Sequence, residues 1–236
     1  MSRRDGALDL LKWLALLSMV LDHLRYVGFS VDWLYVPGRL AFPWFYLAMA
    51  ANLARSGGAA GTDAWRYLGW LLLFSAVSEM PYRLFIPAPA TLNVMPTLVL
   101  GLLVARCWQT PTLEARCLAA MALLLAALFS SRLMFGFYGV LLPLATLLAF
   151  KRSLFLALLP GLVCVAANQW RVLYGAAWLG DAVALWGLVA CLIAPGLGLV
   201  LLRHASRFHP VPMRRWAYLL YPAHFLLLLA VRQAFA

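Results

Sequence analysis

The stretch AWLGDAVALWGLVACLIAPGLGLVLL, residues 177–202, decides the fold class because its 26 residues contain a single charged side chain, that of Asp181. An apolar run of about 20 residues is long enough to cross the hydrocarbon core of a bilayer as a helix. The chain of 236 residues has the same character throughout, with 65% hydrophobic and 11% charged residues, against about 25% charged residues in soluble domains. This composition excludes a soluble globule, a disordered chain, a fibrous repeat and a disulfide scaffold, and it indicates an integral membrane protein.

Nine apolar segments are predicted to cross the membrane, so we expect an all-α, polytopic helix bundle that forms a single domain over residues 1–236. Turn-forming sequences such as SGGAAGTD at 56–63 and PAPA at 87–90 separate the segments. The predicted spans are about 7–27, 38–55, 65–86, 92–108, 116–130, 136–150, 153–170, 177–202 and 214–235. Because nine spans of about 20 residues would use most of the chain, any activity is expected inside the bundle.

The basic residues fall in alternate loops of this bundle. The chain has 19 Lys and Arg residues against 8 Asp and Glu residues, which gives a net charge of +11. Cytoplasmic loops carry an excess of Lys and Arg, which predicts that the N-terminus lies inside and the C-terminus outside. The basic residues assigned to the inner side are Arg3, Arg4, Arg55, Arg66, Arg106, Arg116, Lys151, Arg152, Arg203, Arg207, Arg214 and Arg215. We therefore attribute the positive charge to membrane topology and expect no nucleic acid partner.

Polar side chains inside the predicted spans concentrate toward the outer side. They are Asp22, His23, Arg39, Glu79, Arg83, Asn93, Tyr138, Asn168, Gln169, Asp181 and His224. Ionisable residues within membrane spans are costly and usually serve a function. We therefore expect several helices to contribute to one polar cavity in the outer half of the bundle. The 4 histidines are too few and too scattered for a set of metal ligands, so no metal is expected.

Lys12 and His23 share one face of the first predicted span. At about 100° per residue their side chains point within about 20° of each other, and about 16 Å separates them along the helix axis. Asp22 and His23 diverge by about 100°, so Glu79 is the better candidate for a carboxylate that orients His23. Simpler interpretations stay open: His23 as a packing residue, Lys12 as a side chain that snorkels to the interface, and Glu79 with Arg83 as an i,i+4 ion pair.

Six blocks of the sequence form an ordered set. They are LDLLKWLALLSMVLDH at 8–23, GRLAFPWF at 38–45, SEMPYRLF at 78–85, LNVMPTLVLG at 92–101, FYGVLLP at 137–143 and YLLYPAH at 218–224. This set resembles the TraX family, the conjugal-transfer pilin acetylases, over most of the chain. The TraX family in turn looks related to the membrane acyltransferase superfamily, in which a membrane-embedded histidine takes part in acyl transfer from acyl-CoA.

The resemblance implies an acyl-CoA-dependent acetyltransferase in the bacterial inner membrane, in contact with membrane lipid. Acetyl-CoA is the implied donor. The implied acceptor, on the outer side of the membrane, is the N-terminal amine of a pilin-like protein or another acceptor in the cell envelope. Two alternatives stay open: an O-acetyltransferase that acts on a sugar hydroxyl, and a noncatalytic membrane transporter or assembly protein.

The depth pattern and the resemblance together give the candidate site residues. His23 lies in the block at 8–23 and is the expected general base. The other residues expected in the catalytic group are Asp22, Glu79 and Arg39. Those expected to contact the donor are Lys12, Arg83 and Asn93, and those expected to bind or orient the substrate are Tyr138, Tyr221 and His224. Loss of His224 is expected to be milder than loss of His23.

Overall fold

The structure is a computed structural model that describes residues 5–28, 31–55, 62–150, 158–208 and 210–235, and these residues form helices and no strand. The expectation of an all-α fold is confirmed. The helices are α1 (Gly6–Leu24), α2 (Tyr35–Gly38), α3 (Ala41–Arg55), α4 (Thr62–Phe85), α5 (Met95–Gln109), α6 (Leu113–Leu128), α7 (Gly136–Phe150), α8 (Leu158–Ala167), α9 (Trp170–Trp178), α10 (Ala182–His204) and α11 (Leu220–Ala234). Short 3₁₀ turns occur at Arg25–Val27, Asp32–Leu34, Ala205–Arg207 and Arg215–Leu219.

Helix α1 is fixed at both ends. At its start, the Asp5 carboxylate accepts hydrogen bonds from the backbone N–H groups of Ala7, at 3.0 Å, and Leu8, at 3.3 Å, which is the usual role of an N-cap residue. At its end, α1 continues into the turn Arg25–Val27, and Gly28 then takes a φ of 106°. Glycine adopts this left-handed conformation without strain. The C-terminal end of α1 is therefore an ordered corner.

Helix α3 lies at the centre of the bundle, where it packs against α1, α5, α7 and α10. Most of its side chains are buried, and Tyr46 and Leu47 are fully so. Helix α10 approaches it closely, since a Cβ atom added to Gly198 would lie 2.5 Å from the Leu47 side chain. Nearby, Trp44 Nε1 donates a hydrogen bond to the carbonyl of Ala194 at 2.8 Å. This packing holds the helices around α3 at fixed positions.

The peripheral helices expose large apolar side chains. Helix α6 turns small residues inward and exposes Leu124 and Leu128, among others. Two helical segments, Ala182–His204 and Arg215–Ala234, are long and apolar enough to cross a membrane, and α5, α7 and α8 are shorter apolar helices. Extended exposed apolar surface marks a face that meets a membrane or another protein. These features point to association with a membrane.

Helix α9 lies where the sequence predicts a connection between the spans 153–170 and 177–202. After α9, Gly180 takes a φ of 90°, and the Asp181 carboxylate accepts a hydrogen bond from the N–H of Val183 at 2.8 Å. The predicted start of the eighth span is therefore wrong by several residues, because Asp181 caps the N-terminus of α10. The same capping role accounts for a polar residue that the sequence pattern attributed to the polar cavity.

Parts of the sequence-based predictions lie outside the described residues. These are most of the turn sequence at 56–63, the start of the predicted seventh span at 153–157, and the basic residues Arg3, Arg4, Lys151 and Arg152.

Candidate functional site

A pair of histidines joins helices α1 and α11. Nδ1 of His23 and Nε2 of His224 are 2.9 Å apart, within hydrogen-bond distance. The two rings are inclined by only 14°, with their centroids 5.0 Å apart. Phe225 packs against both rings, with its centroid 5.1 Å from that of His23 and 4.0 Å from that of His224. His224 is buried, so the pair lies in the interior of the bundle.

The hydrogen bonds of this pair determine where each proton lies. Nδ1 of His224 is 3.3 Å from the carbonyl oxygen of Leu220, and because a carbonyl only accepts hydrogen bonds, this Nδ1 carries a proton. Nε2 of a neutral His224 then accepts, so His23 donates from its Nδ1. Nε2 of His23 is left with a free lone pair, which is what a general base requires.

A cavity of about 680 Å³ opens beside His23 at the C-terminal end of α1. We call it the polar cavity, because much of its wall is made of charged, amide and hydroxyl side chains. They are Asp22, His23, Arg25, Tyr26, Tyr35, Arg39, Tyr82, Thr91, Ser130, Ser131, Tyr138, Asn168 and Gln169. The set includes 6 residues that the sequence pattern placed in one polar layer: Asp22, His23, Arg39, Tyr138, Asn168 and Gln169. The volume is in the range of small-molecule binding sites.

Asp22 holds two arginines in the wall of the polar cavity. Its Oδ1 accepts a hydrogen bond from Nη2 of Arg25 at 2.8 Å, and its Oδ2 accepts one from Nη2 of Arg39 at 2.9 Å. Arg39 also donates from Nη1 to Oδ1 of Asn168 at 2.6 Å. Asp22 and His23 thus have separate partners, which agrees with the divergence of adjacent side chains on a helix.

Gly38, which ends the short helix α2, allows this cluster to form. A Cβ atom added at position 38 would lie 2.5 Å from Cβ of Asp22, a distance that side chains do not tolerate. Ser18 Oγ donates a hydrogen bond to the carbonyl of Pro37 at 2.5 Å and so ties α2 to α1 next to this contact. Because the two backbones meet here, the following residue, Arg39, reaches Asp22.

A second cavity, of about 400 Å³, lies toward the N-terminal end of α1. We call it the apolar cavity, since most of its wall consists of Leu16, Met19, Phe45, Ala48, Met49, Leu71, Val94, Met95, Leu98, Met213 and Ala217. Met19 lies one helical turn before His23, and Tyr221, which also lines this cavity, lies about one turn before His224. The apolar cavity and the polar cavity therefore approach the histidine pair from opposite sides.

Three basic residues also line the apolar cavity: Lys12, Arg214 and Arg215. Lys12 is on α1, on the face that it shares with His23 according to the helical period. The two arginines are on the segment 210–219, which precedes α11. This segment is tied to α1, because Trp13 Nε1 donates a hydrogen bond to the carbonyl of Val211 at 2.8 Å. An apolar interior with several cations nearby suits a ligand that has a charged end and a long uncharged arm.

Glu79 belongs to a different cluster from the one that the sequence suggested. Its Oε1 accepts from Nε of Arg83 at 2.6 Å, and its Oε2 accepts from Nδ2 of Asn93 at 2.7 Å and from the Asn93 backbone N–H at 3.0 Å. The partner that orients His23 is therefore His224, and the expectation of Glu79 in that position is corrected. Arg83 and Asn93 join α4 to α5 around Glu79, and neither is among the described residues that line the apolar cavity.

The tyrosines expected to contact substrate lie in different cavities. The Tyr221 hydroxyl accepts a hydrogen bond from the Val94 N–H at 3.3 Å, and its ring centroid is 5.5 Å from that of His224, on the side of the apolar cavity. Tyr138 lines the polar cavity and is about half exposed. Tyr221 is thus the tyrosine that contacts the histidine pair, whereas Tyr138 shares the polar cavity with His23.

Seven of the polar side chains that line the polar cavity are absent from the sequence-based set, and Arg25 and Tyr35 are two of them. The Arg25 guanidinium lies 5.0 Å from the centre of the Tyr35 ring, and both side chains line the cavity. The available signal for Arg25 was its i,i+3 spacing from Asp22, a distance at which opposite charges pair on a helix. Tyr35 carried no such signal, because α2 falls in a stretch that reads as a loop.

These features define an all-helical protein in which a buried histidine pair, contributed by two helices far apart in the chain, lies between a polar and an apolar cavity. The family model described as TraX protein matches residues 7–232. This chain belongs to the TraX family, and the resemblance inferred from its sequence blocks is confirmed.

Two proteins named Protein TraX, from Escherichia coli and from Escherichia coli strain K12, are 36% and 38% identical to this chain over 66 residues. The aligned stretch is 28% of this chain and 27% of each relative. The match therefore spans about a quarter of the length of these curated relatives. No solved structure matches the chain at a significant level.

Proposed function

We propose that this protein is a membrane-embedded acetyltransferase that moves an acetyl group from acetyl-CoA on the inner side of the membrane to an acceptor on the outer side. The observation that carries the proposal is the position of the His23–His224 pair between the two cavities. His23 has a free lone pair at Nε2 and lines the polar cavity, and the apolar cavity extends to Met19 and Tyr221, about one helical turn from the two histidines.

The proposal places nine spans in the bacterial inner membrane, with the N-terminus inside and the C-terminus outside. It is supported by the alternation of loops that are rich and poor in basic residues and by the exposed apolar side chains of the peripheral helices. In this orientation the apolar cavity faces the cytoplasm and the polar cavity faces the outer side.

The apolar cavity suits the donor. Acetyl-CoA has phosphate groups at one end and a long, uncharged pantetheine arm that carries the thioester. Lys12, Arg214 and Arg215 match the phosphates in charge, and Arg side chains in particular can bind phosphate through two hydrogen bonds. The apolar wall between Lys12 and Met19 extends toward the histidine pair, in the direction that the arm has to take.

In the proposed reaction, Nε2 of His23 accepts the proton of the acceptor amine or hydroxyl as its nitrogen or oxygen attacks the thioester carbon. The tetrahedral oxyanion needs a hydrogen-bond donor. The hydroxyl of Tyr221 is suited to this role because it accepts from the Val94 N–H and keeps its own proton. The C–S bond then breaks, and the proton held by His23 passes to the thiolate of CoA. His224 keeps His23 in the required tautomer.

The N-terminal amine of a pilin-like protein is the first acceptor that we propose, in agreement with the family resemblance. An α-amine has a pKa of about 7.7–8.0, whereas a lysine side chain has one of about 10.4. A useful fraction of the N-terminal amine is therefore neutral and nucleophilic at pH 7. Acetylation removes its positive charge, which lowers the cost of burying the terminus in a membrane or a filament.

A sugar hydroxyl is a second candidate acceptor, and the composition of the polar cavity supports it. Tyr26 and Tyr138 are exposed aromatic side chains in its wall, and Ser130, Ser131 and Gln169 add hydroxyl and amide groups there. Such groups match the many hydroxyls of a sugar. A neutral hydroxyl also depends more strongly on a base than an amine does, so the His23–His224 pair would be needed more for this acceptor.

The test is mass spectrometry of envelope proteins and glycans from a strain that lacks this gene. One acceptor is expected to lose about 42 Da, the mass added by an acetyl group. The wild-type gene should restore the mass, whereas a His23→Ala gene should produce inserted protein and no restoration. An unchanged acceptor profile in the deletion strain contradicts the proposed function.

A further inference from the structure

We propose that the polar cavity contains an anion subsite at Arg25, which binds a carboxylate carried by the acceptor next to the group that is acylated. The location of that reacting group rests on the proposed function. The subsite itself concerns binding only, so it can be tested without acyl transfer.

The first argument is the charge of the cavity wall. Two guanidinium groups, those of Arg25 and Arg39, face one carboxylate, that of Asp22. Asp22 is the one acidic side chain among the described residues that line this cavity. The cluster therefore keeps one net positive charge after its internal ion pairs have formed. A ligand that brings one negative charge neutralises the remaining positive charge of the cluster.

The second argument is the difference between the two arginines. Arg39 uses all three of its nitrogens: Nη1 donates to Asn168, Nη2 donates to Asp22 and Nε donates to the carbonyl of Tyr35 at 3.4 Å. Its side chain is also only 11% exposed. Arg39 is therefore committed to the framework of the cavity.

Arg25 is held less completely. Its Nε and Nη2 bond to Asp22, while its Nη1 has no hydrogen-bond partner among the residues that the structure describes. The side chain is 22% exposed and lines the cavity. Arg25 and His23 both line the polar cavity, so one ligand in this cavity can contact both residues.

The third argument is that the Arg25 guanidinium is already oriented. It lies 5.5 Å from the centre of the Tyr26 ring and 5.0 Å from that of Tyr35, distances at which a cation is attracted to an aromatic face. Together with the bonds to Asp22, these contacts reduce the rotational freedom that a ligand would otherwise remove on binding. A planar, oriented guanidinium is the side chain that best matches a carboxylate.

The experiment measures binding to the purified full-length protein by isothermal titration calorimetry with matched small probes. One pair is glucuronate and glucose. The other pair is the dipeptide amides Ala-Glu and Ala-Gln, so the two arms distinguish an acidic sugar from an acidic peptide as the source of the carboxylate. We expect the charged member of one pair to bind about tenfold more tightly, as is typical of one charge-assisted hydrogen bond.

Three variants test whether Arg25 is the source of the charge preference. Arg25→Gln should reduce this preference to less than about twofold, and Arg25→Lys, which keeps the charge but loses the planar fork, should retain part of it. Arg203→Gln removes one exposed arginine outside both cavities and should keep the full preference. A melting temperature measured for each variant shows that it is folded.

The proposal is overturned if wild-type protein binds the charged and neutral probes equally, if it binds none of them, or if folded Arg25→Gln keeps the preference. These outcomes are separable from failure of the proposed function. A charge preference without CoA release in a transfer assay would contradict the proposed acetyltransferase activity and support the anion subsite. CoA release without a charge preference would support the acetyltransferase activity and contradict the anion subsite.

Discussion

The polar cavity and the apolar cavity lie on two sides of one histidine pair, but their charged groups are held differently. In the polar cavity, the Asp22 carboxylate and its two arginines form a cluster tied to the backbone of α2. In the apolar cavity, Arg214 and Arg215 are exposed, and Lys12 lies 3.5 Å from Asp9 on the same helix. A fixed cluster can discriminate among similar ligands, whereas exposed cations beside an apolar slot attract one long anionic ligand.

The two cavities are expected to face opposite sides of the membrane, and the topology of the loops beside them tests this difference most directly. Reporter fusions at 87–91 should read external, because Thr91 lines the polar cavity. Fusions at 205–210 should read cytoplasmic, because they precede the basic residues of the apolar cavity. Each signal should be essentially all or none. A cytoplasmic signal at 87–91 would place the polar cavity on the donor side and reverse the proposed direction of transfer.

Replacement of His23 should cause a large loss of acetyl transfer, because the proposed reaction brings the ligands of both cavities to the histidine pair. His23→Ala removes the lone pair that the hydrogen bonds of the histidine pair leave free, so acetyl transfer should fall by about 10²-fold or more. The measurement is CoA release by purified, monodisperse protein with acetyl-CoA and an acceptor peptide.

The matched control for this variant is His224→Ala. It leaves the base in place and removes one hydrogen bond, which is worth about 0.5–1.5 kcal/mol, so a loss of kcat of up to about tenfold is expected. The assignment of the base to His23 is wrong if His224→Ala abolishes transfer while His23→Ala keeps near-full turnover.

The framework of the polar cavity should depend on the absence of a side chain at position 38. Gly38→Ala places a Cβ atom against Asp22, and overpacking of this kind costs about 1–3 kcal/mol. We expect a lower melting temperature and weaker binding in the polar cavity, with little change in the affinity for acetyl-CoA. Gly69→Ala is the control, because a Cβ atom there meets nothing within 4 Å. Equal melting temperatures for the two variants would contradict the close contact of α2 with α1.

Loss of one cation from the apolar cavity should give the smallest effect. Lys12→Ala should raise the KM for acetyl-CoA by about tenfold, since a hydrogen bond to a charged group is worth about 1.5–3 kcal/mol, and should lower kcat less. Arg203→Ala removes a basic residue that does not line the cavity and should leave the KM unchanged. If Lys12→Ala instead abolishes turnover at an unchanged KM, Lys12 takes part in the chemistry or in folding.

The helical content and the gathering of polar residues could be predicted from the sequence. Asp22, Arg39 and Asn168 lie at similar depths once the spans and their directions are assigned, and similar depth is what brings them to one cavity. The partner of His23 could not be predicted in this way. Depth does not specify which helices are neighbours, so the sequence favoured Glu79, and only the packing of α11 on α1 identifies His224 as the partner.

The short helices α2 and α9 could not be predicted from the sequence pattern either. Helix α2 is four residues long, and α9 contains only nine residues, so neither offers enough turns for a clear apolar period. Both nevertheless decide local geometry, since α2 delivers Arg39 to Asp22. The capping role of Asp181 could not be predicted either. An acidic residue inside an apolar run suggests a buried charge, and only the end of α9 just before it shows that Asp181 starts a new helix.

The separation of His23 and His224 by 201 positions has a consequence for how the protein is made. Helices that leave the ribosome first wait for those that follow, so α1 remains without its histidine partner for almost the whole of translation. The tautomer of His23 is fixed only when α11 has been inserted. A nascent chain arrested before α11 would therefore lack both His224 and the part of the apolar cavity wall that Tyr221 supplies.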